Sequence, residues 1–165
     1  MKKTICALWV LIFIFWYGTA FSKDRHYTVK GNVETTNLSK IIQLGTITLQ
    51  LYDGENMVFE ETGSLIGIVT GASENEFYLM HMAIFEDGSL FITDRDTAFS
   101  TGPVDDSLCA FQTTELISKI VIGGGFFRRI SDADVMAEGV VDYCNNQNQF
   151  QLSGDLWFKC FKSDI

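Results

Sequence analysis

The stretch 119-KIVIGGGFFRR-129 decides how the rest of the chain is read. A β-prone run meets Gly123, Gly124 and Gly125, then two phenylalanines and two arginines. A phosphate loop of the Walker type needs four residues between its first glycine and a Gly-Lys-Ser/Thr, and a dinucleotide loop needs G-x-G-x-x-G opening a long helix. Neither spacing is present. No Lys-Ser/Thr follows, and Arg128 to Ala133 leave too little chain for a long helix before the next β-prone run. Arg128 and Arg129 could still meet an anion at that short turn. What remains is geometry: consecutive glycines let backbones approach closely and mark a sharp corner in a curved sheet. Phe126 and Phe127 then read as a plug at one end of that sheet.

Working outward, the surrounding pattern is all-β. Short β-branched and aromatic runs recur between Gly, Asn and Asp clusters, and helical periodicity is hard to find. The expected strands are Tyr27–Glu34, Leu44–Tyr52, Ser64–Gly71, Phe77–Glu86, Ser89–Asp94, Leu108–Thr113, Glu115–Ile122, Val135–Cys144 and Gln149–Phe161. That count suits an eight- to nine-stranded antiparallel β-barrel or a sandwich. Asp87-Gly88 between two apolar runs is a hairpin signal. For the last hairpin, pairing Tyr143 with Phe150 makes one face wholly apolar and the other largely wet. The segment from Asp94 to Leu108 reads as the longest irregular stretch, either a plain surface loop or a flap over a barrel mouth.

The N-terminus reads as a signal peptide, residues 1–22. Lys2 and Lys3 precede an apolar run from Ile5 to Tyr17, and Ala20-Phe21-Ser22 gives a small-x-small cleavage pattern. The run is shorter than the roughly 20 residues a membrane-spanning helix needs, which favours cleavage over the alternative, a retained N-terminal anchor. Residues 23–165 are then one domain, secreted or periplasmic, with no membrane association after cleavage. The formal net charge of −9 becomes more negative once Lys2 and Lys3 are removed, so nucleic acid is excluded as a partner.

Cysteine arithmetic leaves Cys109, Cys144 and Cys160 after cleavage. The register above puts Cys144 on the polar face and Cys160 on the apolar face, which favours Cys109–Cys160 as the disulfide. Three unlinked thiols are the alternative. With no C-x-x-C and only two histidines, no metal-ligand spacing is visible, and neither metal nor cofactor is expected.

The stretch 119-KIVIGGGFFRRISDADVMAEGVV-141 is similar to the strand, glycine turn, aromatic plug and returning strand of the allene oxide cyclase and dirigent-like barrels. Gly63-Ser-Leu-Ile-Gly-Ile-Val-Thr-Gly71 resembles the glycine-punctuated strand of that family, and Phe77 to Asp94 its central hairpin. The resemblance covers roughly Gly63 to Trp157, with the glycine turn differing by a residue. It implies an antiparallel barrel, often a trimer, with an apolar cavity that restrains reactive hydrophobic intermediates. The matching stretches carry no catalytic constellation, so activity does not transfer with the fold.

The expected function is binding of a small hydrophobic molecule in the barrel interior. A cyclase or isomerase that restrains a reactive intermediate is the alternative, and a structural barrel filled by its own side chains is a third reading. Leu79, His81, Val141, Tyr143, Leu152, Leu156 and Phe158 are the expected ligand-lining residues, and Gly123, Gly124, Gly125 and Phe126 the structural turn. His81, on a strand face with Phe77, Leu79, Ala83 and Phe85, reads as an interior residue or a proton shuttle. Asp94, Arg95 and Asp96 form a charge cluster beside the irregular segment, read as solvated or as an active mouth, with Glu115 and Tyr143 as second candidates. The Phe77–Phe85 strand is apolar on both faces, which suits either an overpacked interior or a dimer or trimer contact.

Overall fold

In the computed structural model, which describes residues 24–74, 76–104 and 108–160, the chain is all-β apart from one short turn of 3-10 helix. The expected signal peptide and the acidic pair Asp105–Asp106 lie outside the described residues. The strands are β1 (Arg25–Asn37), β2 (Ile42–Asp53), β3 (Asn56–Ala72), β4 (Glu76–Phe85), β5 (Leu90–Thr93), β6 (Asp96–Pro103), β7 (Ala110–Ile117), β8 (Ile120–Gly124), β9 (Ile130–Asp142) and β10 (Gln147–Phe158). All belong to one antiparallel sheet. Its order β3-β2-β1-β10-β9-β7-β6-β4 returns to β3 through the β3–β4 pairing, making a barrel-like ring of eight strands.

The two strands left over are continuations. β4 pairs with β6 through Glu76–Leu79 and with β5 through Met82–Ile84, so β5 and β6 are one strand interrupted at Asp94–Arg95. β6 pairs with β7 and β5 with β8, so β7 and β8 are likewise one strand, broken at Ser118–Lys119. The segment expected to be irregular therefore contains β6, and the expected strand break near Thr114 falls four residues later. The cause at Asp94–Arg95 is a bulge. Arg95 takes the left-handed conformation (φ 58°), adding a residue to the strand without ending it.

Side chains alternate as the period of two demands. Tyr27, Val29, Val33 and Thr35 of β1 point inward, as do Leu79, His81, Ala83 and Phe85 of β4. Across the β3–β4 ladder Gly63 meets Phe85, Gly67 meets His81 and Gly71 meets Tyr78. Gly67 cedes to the His81 ring the space its own side chain would take, and a Cβ on Gly63 would meet the Ile84 carbonyl oxygen. The outer face of β4 is less covered: Met80 and Met82 are half-buried and Ile84 is exposed.

The glycine triplet ends β8 and turns the chain into the 3-10 turn Gly125–Arg129. A Cβ on Gly123 would run into the Phe127 carbonyl oxygen, and Gly125 has φ +59°. The Phe126 N–H donates to Ser89 Oγ at 2.9 Å, pinning the turn to the β4–β5 hairpin. This drives Phe127, fully buried, between Phe59, Phe85 and Phe91 at centroid distances of 5.2, 5.3 and 5.4 Å. Phe126, Phe158 and Tyr27 complete an aromatic plug that fills this end of the ring.

The last hairpin has the expected faces but not the expected register. Asp142 pairs with Gln147 and Gly139 with Phe150, so Tyr143 does not face Phe150. The chain turns earlier, over Tyr143–Asn146, because the Asp142 carboxylate accepts from the Asn145 backbone at 2.9 Å and its side-chain amide at 2.7 Å. The slip is even, so inside and outside are preserved. Gly139 is now pressed on Gln149 and Phe150: a Cβ there would strike the Gln149 carbonyl oxygen. Gly139→Ala should therefore destabilise the protein by about 1–3 kcal/mol, read as a lowered urea midpoint.

The disulfide is a correction. Cys109 bonds Cys144, and among the described residues Cys160 is the free cysteine. Cys144 lies in the turn past β9, where strand alternation no longer fixes its direction, and Cys109 precedes the strand that pairs with β9. Their Cα atoms are 5.6 Å apart, and the Tyr143 N–H donates to the Cys109 carbonyl at 2.8 Å. Cys160 follows β10 at the plugged end, remote from both.

Candidate functional site

Beyond the plug the interior is open. A deep cavity of about 50 Å³ lies among Ile47, Leu49, Leu65, Val135, Leu152 and Leu156. A wider cup of about 450 Å³ sits at the opposite end from the plug, bordered by Lys40, Phe77, Leu79, Ala98, Phe111, Val141 and Tyr143. Gln43, Glu115 and Phe150 border both, so the two spaces meet there.

The floor of the open half carries a buried polar group from three neighbouring strands of the ring: His81 of β4, Thr93 and Asp96 on either side of the β5–β6 interruption, and Glu115 of β7. His81 Nδ1 is 2.9 Å from Asp96 Oδ2 and 3.2 Å from Glu115 Oε1. The His81 backbone N–H donates to Thr93 Oγ1 at 2.8 Å, and Thr93 Oγ1 donates in turn to Asp96 Oδ2. Asp96 is wholly inaccessible to solvent and Glu115 is 6% exposed, yet Asp96 Oδ1 and Glu115 Oε1 have no hydrogen-bond partner. One Nδ1 proton cannot serve both carboxyl groups. Burial raises the Glu115 pKa above the usual carboxylate range, with Asp96 adding to the shift and His81 opposing it. Burial alone would lower the His81 pKa, but the charges of Glu115 and Asp96 and the hydrogen bond to Asp96 outweigh it and raise it.

This geometry comes from the bulge. Thr93 and Asp96 are three apart, so plain alternation would turn one of them outward. The extra residue at Arg95 turns both inward. Asp94 and Arg95 are left exposed, with the Arg95 guanidinium 5.4 Å from the Tyr78 ring centroid. The expected charge cluster at a mouth is thus divided: Asp96 goes inside and its neighbours stay in solvent.

Of the expected lining residues, His81, Leu152 and Leu156 border the deep cavity, and Leu79, Val141 and Tyr143 the cup. Phe158 lies instead in the plug, 5.2 Å from Tyr27 and 5.5 Å from Phe126. The bulge between Trp157 and Phe158 is where β10 leaves its register with β9. Thr93 and the inward role of Asp96 escaped the sequence reading, since the only signal was an Asp-Arg pair at a strand end. Among the described residues, His81, Asp96 and Glu115 gather the side chains able to ligate a cation, their donor atoms all within 4.8 Å of one another. Compared with known proteins, the chain matches no family model, no curated protein and no solved structure.

Proposed function

We propose that this is an exported barrel protein, of the kind found among allene oxide cyclase and dirigent-like proteins, that holds a small, largely apolar molecule in its interior. The observation that carries the reading is the largely apolar cup opening onto a deeper cavity with a buried polar group on its floor. A cup of about 450 Å³ lies in the range of small-molecule sites, and its few polar groups would orient a ligand entering apolar end outward. The disulfide suits a secreted or periplasmic protein. The second reading, a cyclase or isomerase that restrains a reactive substrate, is favoured by the buried group at His81 and Glu115.

A neutral apolar dye, N-phenyl-1-naphthylamine, tests the binding reading. Ser100→Trp at the exposed rim and Val141→Phe on the wall should each weaken dye binding roughly tenfold, about 1.4 kcal/mol, with circular dichroism unchanged. No binding by the wild-type protein, or equal binding by both variants, would sink the reading. Native mass spectrometry of protein purified from its source then identifies any compound carried through. Turnover of that compound by wild type, with binding but no turnover by His81→Asn, separates enzyme from carrier.

A further inference from the structure

We propose that His81, Asp96 and Glu115 form a binding site for one divalent transition cation of the Zn²⁺, Mn²⁺ or Fe²⁺ class. The donor set is one imidazole and two carboxylates, which suits borderline and moderately hard cations. The two separations from its imidazole are those of a coordination polyhedron, and all three donors lie within 4.8 Å of one another. With metal–ligand bonds of roughly 2.0–2.1 Å, neighbouring donors stand about 3.0 Å apart in an octahedron and about 3.3 Å apart in a tetrahedron. The imidazole nitrogen lies 2.9 and 3.2 Å from the two carboxylate oxygens.

Those distances also suit hydrogen bonds, and the proton count separates the two accounts. With both carboxyl groups ionised, a hydrogen-bonded trio has one Nδ1 proton for two acceptors; His81 shares it with Asp96, and Asp96 Oδ1 and Glu115 Oε1 stay buried without a hydrogen bond, Glu115 Oε1 lying 3.2 Å from Nδ1. Buried polar atoms that lack partners call for an ion or a water. A divalent cation answers both oxygens together, and its charge balances the two carboxylates beside a cavity walled mostly by apolar side chains.

Two further features fit. Thr93 Oγ1 donates to Asp96 Oδ2, the carboxylate oxygen beside His81 Nδ1, and so fixes the carboxylate that would meet the ion through that oxygen and the unpartnered Oδ1. Three protein ligands also leave coordination positions open. Glu115 borders both the deep cavity and the cup, so the open positions face the space where a small molecule would sit and from which the ion would enter. A cation there would act as a Lewis acid on an oxygen of that molecule. The site does not depend on the apolar-ligand reading, because the ligands converge whether or not the cup is filled.

The test is a titration of chelator-treated protein with Co²⁺ alone, in a Cys160→Ser background so that the free thiol does not contribute. The expected result is one Co²⁺ per chain with visible d–d absorption, displaced by Zn²⁺. His81→Ala and Glu115→Gln should abolish the band. Thr93→Val, which removes only the outer hydroxyl, should weaken binding about 10–100-fold. Asp94→Asn, an exposed carboxylate next to the site, should bind as the parent does. Absence of binding by the parent, or a band that survives both His81→Ala and Glu115→Gln, overturns the proposal. Circular dichroism confirms that each variant is folded, and the near-isosteric Glu115→Gln decides the matter if His81→Ala unfolds.

Discussion

Phe127→Ala is expected to lose about 3–5 kcal/mol of folding free energy, the largest effect of any single truncation in the ring. Phe127 has no accessible surface and packs against Phe59, Phe85, Phe91 and Phe126 within 5.5 Å between centroids. Its removal leaves a hole that the neighbours cannot fill. Three of them sit on separate strands, and Phe126 is held by the hydrogen bond of its own N–H to Ser89. The backbone cannot sink inward either, because the Phe127 carbonyl already rests where Gly123 lacks a Cβ. Urea unfolding gives the number, and Phe127→Leu should recover part of the loss. A cost near 1 kcal/mol for Phe127→Ala would mean that the end collapses freely, and the plug would lose its structural standing.

Removing the Cys109–Cys144 bond is the second large effect, about 3–4 kcal/mol. The bond closes a loop with a sequence separation of 35, and the chain-entropy relation for a loop of that length gives this magnitude. The loop includes β7, β8, the 3-10 turn and β9, so its ends are also held by the β7–β9 ladder in the folded state. The measurement is the urea midpoint of the Cys109→Ala, Cys144→Ala double variant against the parent. Cys160→Ala serves as the comparison and should shift stability by no more than about 0.5 kcal/mol. Peptide mapping that joined Cys160 to either partner would overturn the assignment directly. Phe127 and the disulfide lie at opposite ends of the ring and share no partner, so their effects should add.

How much of this the sequence carried depends on what each feature needs. Most strands and their faces came through, β6 excepted, because alternation is local and survives an even slip of register, as at Gly139 and Phe150. The glycine triplet was legible as a corner because a nucleotide loop has spacing rules that this stretch breaks. The polar floor was not legible as a unit. Glu115 and His81 were each visible, but their meeting depends on the strand order β4-β6-β7, which no local pattern encodes. Asp96 was hidden by one residue: a bulge shifts the alternation, and nothing in Asp94-Arg95-Asp96 marks it except an arginine in the left-handed region. Cys144 was misassigned for a related reason, since a strand rule was extended into a turn.

The two ends of the ring are closed by different kinds of force, and this has a consequence for where the protein can keep its shape. The aromatic end is held by exclusion of water, so it responds to temperature and to solutes that wet apolar surface. The open end is laced by a single covalent link beside Tyr143, so it responds to the electron supply of its surroundings. In a reducing compartment the rim would loosen while the sealed end kept its packing. Reduction of Cys109–Cys144 would therefore act on the rim, and the aromatic end, which holds no disulfide, would not feel it directly.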